Sequence, residues 1–121
     1  MARSYRELLV WQKAKKLAVH TYTATADFPR SETYGLTSQI RRATVSVASN
    51  IAEGQGRLTP GEFRHFLGQA RGSLLEAETQ LAIASDLGFL VKETYEALEI
   101  ESYQVLGLLD RLLNSLSKKT A

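Results

Sequence analysis

Apolar residues recur along this chain at steps of three and four in four long stretches, and nowhere alternate as in a strand. In the first, residues 7–27, the stripe is Val10, Ala14, Leu17, Thr21 and Ala24, followed by Phe28. Pro29 ends it, because proline lacks an N–H and disfavours helix in the residue before it. The second, residues 32–53, carries Leu36, Ile40, Ala43, Val47 and Ile51. Ser31 stands where an N-cap is needed, and Gly54-Gln55-Gly56 predicts a left-handed C-terminal cap. The third, residues 60–87, has the clearest start: Thr59-Pro60-Gly61-Glu62 combines a capping threonine, proline at the first helical position and a capping-box glutamate. Its seam of Phe63, Phe66 or Leu67, Ala70, Leu74, Ala77, Leu81 and Ala84 is heptad, and Gly88 closes it. The fourth, residues 92–116, runs on Tyr95, Leu98, Ser102, Val105, Leu109, Leu112 and Leu116.

Helices of this size are about 30–40 Å long. Matched lengths and short connections predict an all-α, antiparallel up-down-up-down four-helix bundle, a single domain over residues 1–121. Residues 117–121 read as a frayed end. A chain of 121 residues buries about two-thirds of its unfolded surface and needs no staples.

The chain has no cysteine, which excludes disulfides, thiolate zinc sites and cysteine nucleophiles together and suits a reducing, cytoplasmic setting. No apolar run follows Met1-Ala2-Arg3-Ser4-Tyr5, so no signal peptide is expected, and no stretch approaches the roughly 20 apolar residues of a membrane span. His20 and His65 lie in different segments, and neither has the partners a metal site needs, so no metal or cofactor is expected. Charge is unevenly placed. Residues 1–71 hold 11 Lys and Arg against 5 Asp and Glu, a balance of +6, while residues 72–121 hold 4 against 8, a balance of −4. Such asymmetry fits either a surface for polyanions or head-to-tail contact between copies.

The apolar surface exceeds what one bundle uses. Trp11 and Tyr22 lie off the first seam, and Ile100, Tyr103, Leu106 and Leu113 widen the fourth. Some widening is normal for a globular helix. A contiguous exposed patch marks an interface, so these six residues are candidates for self-association.

If the second and third helices form a hairpin turning near Arg57, facing residues sum to about 114. Gln39 and Arg42 then lie opposite Gly72 to Glu76, and Val47 opposite Leu67. Gln39, Arg42, Asn50, Glu53, Ser73 and Glu76 read as a polar network that fixes register, with Arg42 and Glu76 as an ion pair. Gly68 and Gly72, one turn apart, predict a close backbone approach that compensates the roughly 1 kcal/mol cost of a helical glycine. An enzyme would at minimum need Glu53, His65 and Glu76 in one cleft, and the pairing separates the two carboxylates by several turns. No catalytic residue is assigned.

Lys13 and Lys16 on the first segment, Arg41 and Arg42 on the second, and Arg57, Arg64 and Arg71 at seven-residue intervals are the candidate phosphate contacts. The bland reading is a set of solvated helix faces; a ring of copies would multiply a modest basic stripe.

The strings Leu8-Leu9-Val10-Trp11-Gln12-Lys13-Ala14, Gln39-Ile40-Arg41-Arg42-Ala43, Asn50-Ile51-Ala52-Glu53-Gly54 and Glu62-Phe63-Arg64-His65-Phe66-Leu67 resemble the 23S rRNA intervening-sequence protein family, and the likeness spans nearly the whole chain. The resemblance implies four-helix bundles assembled into a homo-oligomeric, pentameric ring with no established activity. A related branch, the accessory proteins of diversity-generating retroelements, implies a basic surface for nucleic acid and a protein partner. The near-balanced charge of +2 departs from that branch. The expectation is therefore a non-enzymatic oligomeric scaffold, with RNA binding as the alternative.

Overall fold

The computed structural model describes residues 4–120, with side chains through residue 117. Four α-helices account for most of it: α1 (Leu9–Thr25), α2 (Leu36–Gln55), α3 (Pro60–Asp86) and α4 (Lys92–Thr120). The described residues contain no strand. Helix α1 packs on α2 and α4, and α3 packs on α2 and α4, while the α1–α3 and α2–α4 diagonals make no close backbone approach. The result is a square, antiparallel four-helix bundle in which each helix neighbours the next in sequence.

The core is built from the stripes that the periodicity predicts. Val10, Ala14 and Leu17 meet Ile40, Val47, Ile51, Leu67, Leu74, Leu81, Leu98, Val105 and Leu109, all essentially buried. Threonine enters this core without leaving its hydroxyl orphaned at three positions. Thr21 donates to the Leu17 carbonyl at 2.7 Å, Thr25 to Thr21 at 2.8 Å, and Thr44 to Ile40 at 3.2 Å.

Helix boundaries depart from the periodic pattern in instructive ways. The helices contain 17, 20, 27 and 29 residues and are not matched in length. Tyr5–Glu7 and Arg30–Glu32 form short 3-10 turns, taking residues the pattern assigns to α1 and α2. Ser31 consequently lies inside a turn and caps nothing; the N-cap of α2 is Gly35, and the Glu32 carboxylate accepts from the Leu36 amide at 3.0 Å. Helix α4 continues to Thr120 instead of fraying after Leu116. Met1 to Arg3 and Ala121 lie outside the described residues.

Thr59 caps α3 as expected, accepting from the Glu62 amide at 3.1 Å with Pro60 at the helix start. Gly88 has φ +81, and its amide bonds to Ser85 O while that of Phe89 bonds to Ala84 O. That pair of bonds is the Schellman ending, which needs the left-handed residue that glycine supplies. Gly56, by contrast, stays right-handed at φ −78, so α2 has no left-handed cap. Its amide bonds back to Ala52 O at 3.2 Å, and Arg57 N to Gly54 O at 3.1 Å, tightening the last turn.

The α2–α3 interface is the most extensive of the four. Its register is read from Gln39 against Gln80, Ser46 against Ser73 and Gly54 against Phe66. Facing pairs therefore sum to about 119, not 114. Side chains on each helix lean toward its N-terminus, which raises the sum of touching residues; the turn itself, residues 56–59, is centred just after Arg57. The close approach falls at Gly54, where an added Cβ would lie 2.7 Å from Phe66 Cβ. At Gly68 and Gly72 it would meet nothing within 4 Å. Both glycines face open space on the exposed side of α3.

Candidate functional site

An apolar groove of about 590 Å³ runs along the α1–α2 edge. Small residues, Ala18, Ala48 and Ala52, form its floor, because alanines there let two helices approach while leaving space above them. Trp11 and Tyr22 rise from α1 one above the other. The Tyr5 ring packs edge-on to Trp11 at 5.0 Å, and Lys15 Nζ sits 5.1 Å from the Trp11 ring centroid. Val45 and Tyr22 are 42% and 45% exposed, so the groove is apolar yet wet.

Arg41 is positioned by the same edge. Its guanidinium lies 4.5 Å from the Tyr22 ring centroid, donates from Nε to Thr25 Oγ1 at 2.9 Å and from Nη2 to Tyr22 O at 3.3 Å. It thus places a fixed cation against the carbonyl end of α1, where the helix dipole favours it.

Of the other candidate interface residues, Ile100 and Tyr103 are 59% and 57% exposed on the outer surface of α4. Leu106 and Leu113, like Trp11, are half-buried and pack against the core, and Leu113 also borders an opening against Gly61, Arg64 and Gly68 of α3. The six residues therefore divide between two sides of the bundle. Trp11 and Tyr22 belong to the α1–α2 edge, Ile100 and Tyr103 to α4 across the bundle from α2.

The seven candidate phosphate contacts do not converge. Arg57 belongs to the α2–α3 turn, pairs with Glu53 at 2.9 Å and stacks 4.6 Å from the Phe66 centroid. It precedes α3, so the seven-residue spacing with Arg64 and Arg71 counts across a helix break and defines no common face. Arg71 donates to Asp110 on α4 at 2.8 Å, and that carboxylate raises its pKa. Arg41 is committed to α1 as above. Lys13 is half-buried on α1, and Lys16, Arg42 and Arg64 are exposed on three different helices.

The polar residues between α2 and α3 form two small groups. Ser46 and Ser73 hydroxyls lie 2.9 Å apart, and Asn50 Nδ2 donates to Ser46 O at 2.9 Å and Ser46 Oγ at 3.0 Å. One level away, Gln80 Nε2 makes long bonds of 3.4 Å to Gln39 and to Glu76. Arg42 and Glu76 are not an ion pair among the described residues: both side chains are exposed, and Glu76 accepts instead from Gln80 on its own helix. Ser46 and Gln80 are the members that periodicity missed. Asn50, four residues after Ser46, is the signal that would have found the serine.

Glu53, His65 and Glu76 are not gathered. Glu53 pairs with Arg57, His65 Nε2 lies 3.1 Å from Gln69 Nε2, and Glu76 reaches Gln80. His20 instead joins α1 to α4, with Nδ1 2.8 Å from Glu101 Oε1. Among the described residues no group of three or more His, Cys, Asp or Glu is placed to hold a metal, and no helix is long and apolar enough to cross a membrane.

A second, smaller cavity of about 240 Å³ opens between α3 and α4, where Glu78 and Thr79 face Tyr95, Glu99 and Ser102. Burial, and then the nearby Glu99 carboxylate, raise the Glu78 pKa, with Arg71 opposing. Burial and Glu99 likewise raise that of Tyr95. A carboxyl that holds its proton more tightly folded than unfolded destabilises the fold once ionised. The penalty therefore grows as pH rises from the ordinary value of about 4.3 through the raised one, and is complete above it. Glu78→Gln is expected to raise Tm at about pH 8 and to match the wild type near pH 4, where both side chains are neutral. An equal Tm difference at both pH values would show that ionisation is not the cause.

A family model described as 23S rRNA-intervening sequence protein matches residues 6–111. Among solved structures, a protein of unknown function from the S23 ribosomal protein family of Bacteroides thetaiotaomicron VPI-5482 superimposes with a TM-score of 0.78. The two are 22% identical, and the match covers 87% of this chain and 98% of that one, a likeness of fold. No curated protein matches the chain.

Proposed function

Given that the chain belongs to the 23S rRNA-intervening sequence protein family, we propose that it acts as a non-enzymatic scaffold formed by several copies of itself. The observation that carries this reading is the pair of unlike apolar surfaces on opposite sides of one bundle. One is the α1–α2 groove with Trp11, Tyr22 and Val45; the other is the outer side of α3 and α4 with Leu75, Ile100 and Tyr103. Two different surfaces that meet head to tail give a heterologous contact, which closes into a ring when the rotation between copies permits. Charge supports the same pairing: the half of the chain that includes α1 and α2 carries the positive balance, and α4 lies in the negative half. A five-membered ring is what the family resemblance implies.

The dispersal of Glu53, His65 and Glu76 supports the absence of catalysis. RNA binding is the weaker reading, because Arg41, Arg57 and Arg71 are committed within the bundle and the remaining cations are spread over three helices. Light scattering across a range of dilutions tests the scaffold. A discrete mass above that of a dimer is expected, and a monomer mass at every concentration would overturn the reading.

A further inference from the structure

We propose that the α3–α4 cavity between Glu78 and Glu99 binds an organic cation with several N–H donors, a guanidinium or a primary alkylammonium. This goes beyond the scaffold reading and does not depend on it.

Two observations converge here. The first is negative charge without a counterion of its own: Glu78 and Glu99 face one cavity from two helices. The nearest cation, Arg71, is engaged by Asp110 at 2.8 Å. The second is a buried hydroxyl with nothing to bond. Ser102 is fully buried at the cavity, and its Oγ has no partner; nor has Oε2 of Glu78. Serine inside a helix commonly bonds its own carbonyl four residues back. Ser102 does not, so its hydroxyl is left unpartnered in the cavity wall. Tyr95 donates to Glu99 Oε2 at 3.4 Å, which orients that carboxylate and leaves its other oxygen available.

Unsatisfied buried polar groups are costly, and charged ones most of all. Water could bond Ser102 and Glu78 but would leave the charge uncompensated. A cation with several N–H groups does both, and guanidinium presents five donors in one plane. The space, about 240 Å³, lies below the roughly 300–1,000 Å³ of drug-sized sites. It suits a cationic head group at the end of a narrow chain. That head can be a free small molecule or the end of an Arg or Lys side chain from a neighbouring copy.

Calorimetric titration with agmatine, which carries both head groups, tests the site. One agmatine per chain is expected, with affinity at least about tenfold weaker in Glu78→Gln and Ser102→Ala, since charge-assisted bonds are lost. Both variants are near-isosteric at a surface cavity, and their helicity is checked by circular dichroism. A neutral alkylurea of similar length is expected not to bind. Mass measured alongside distinguishes the sources. If a neighbour's side chain occupies the cavity, agmatine lowers the mass of the wild-type assembly and leaves that of Glu78→Gln unchanged. If the natural occupant is free, the mass stays constant while agmatine binds. The proposal is overturned, with water as the occupant, if the wild type neither binds agmatine nor changes mass. It is equally overturned if Glu78→Gln responds like the wild type, or if the urea binds as well as agmatine.

Discussion

Replacing Gly54 by leucine is expected to lower the unfolding free energy by about 3 kcal/mol or more, near the upper end for overpacked cores. An added Cβ would lie 2.7 Å from Phe66 Cβ, 3.1 Å from Phe63 Cδ1 and 3.3 Å from Phe63 O. Two of those three atoms are backbone or adjacent to it, so no rotamer change relieves the clash, and α2 and α3 must move apart. Alanine meets the same atoms with a smaller group. It also regains roughly 1 kcal/mol of helix propensity, so its net effect is smaller. Gly68→Ala serves as the control: it has open space around it and is expected to be neutral or to stabilise by up to about 1 kcal/mol. Urea melts of the three variants check this. A Gly54→Leu protein as stable as the wild type would mean that the two helices are not held at this distance.

Val45→Arg is expected to weaken self-association by about a hundredfold, roughly 2.7 kcal/mol, while leaving the folded protomer within about 0.5 kcal/mol of the wild type. Val45 is 42% exposed at the groove rim, so an arginine there can reach solvent without disturbing the core. Within the groove it adds a third cation beside Lys15 and Arg41 and covers the alanine floor that a neighbour would have to contact. Lost apolar area, together with the cost of stripping water from a buried arginine, disfavours such a contact. Sedimentation of the variant against the wild type at equal concentration measures it. The same mass for both would remove the groove from any interface.

Much of the fold is legible because local chemistry specifies it. Thr59, Pro60 and Glu62 announce the start of α3, and Gly88 its end, since few residues other than glycine adopt that backbone. The seam from Leu67 to Ala84 keeps its spacing without interruption. The surfaces are less legible because they depend on pairing. Gly54 and Gly68 look alike in sequence, and only the register decides which meets a phenylalanine. Leu106 and Leu113 share the spacing of exposed residues, but they lie half-buried against the core. Arg57 continues the series of Arg64 and Arg71 in sequence, but the turn displaces it from their helix. The cavity at Glu78 joins residues whose opposition is set by the 87–91 connection, which no periodicity encodes.

The α2–α3 hairpin, with its long interface and four-residue turn, also sets an order of events. Closing so short a loop costs little chain entropy, and the contacts that follow lie near one another in sequence. Folding can therefore begin on this hairpin, with Gly54 and Phe66 meeting early, and α1 and α4 can condense onto it afterwards. In the native protein the same asymmetry appears in reverse. Backbone amides at the centre of α2 and α3 should be the slowest to exchange with solvent deuterium, and those of α1 should be released through partial openings that leave the hairpin closed.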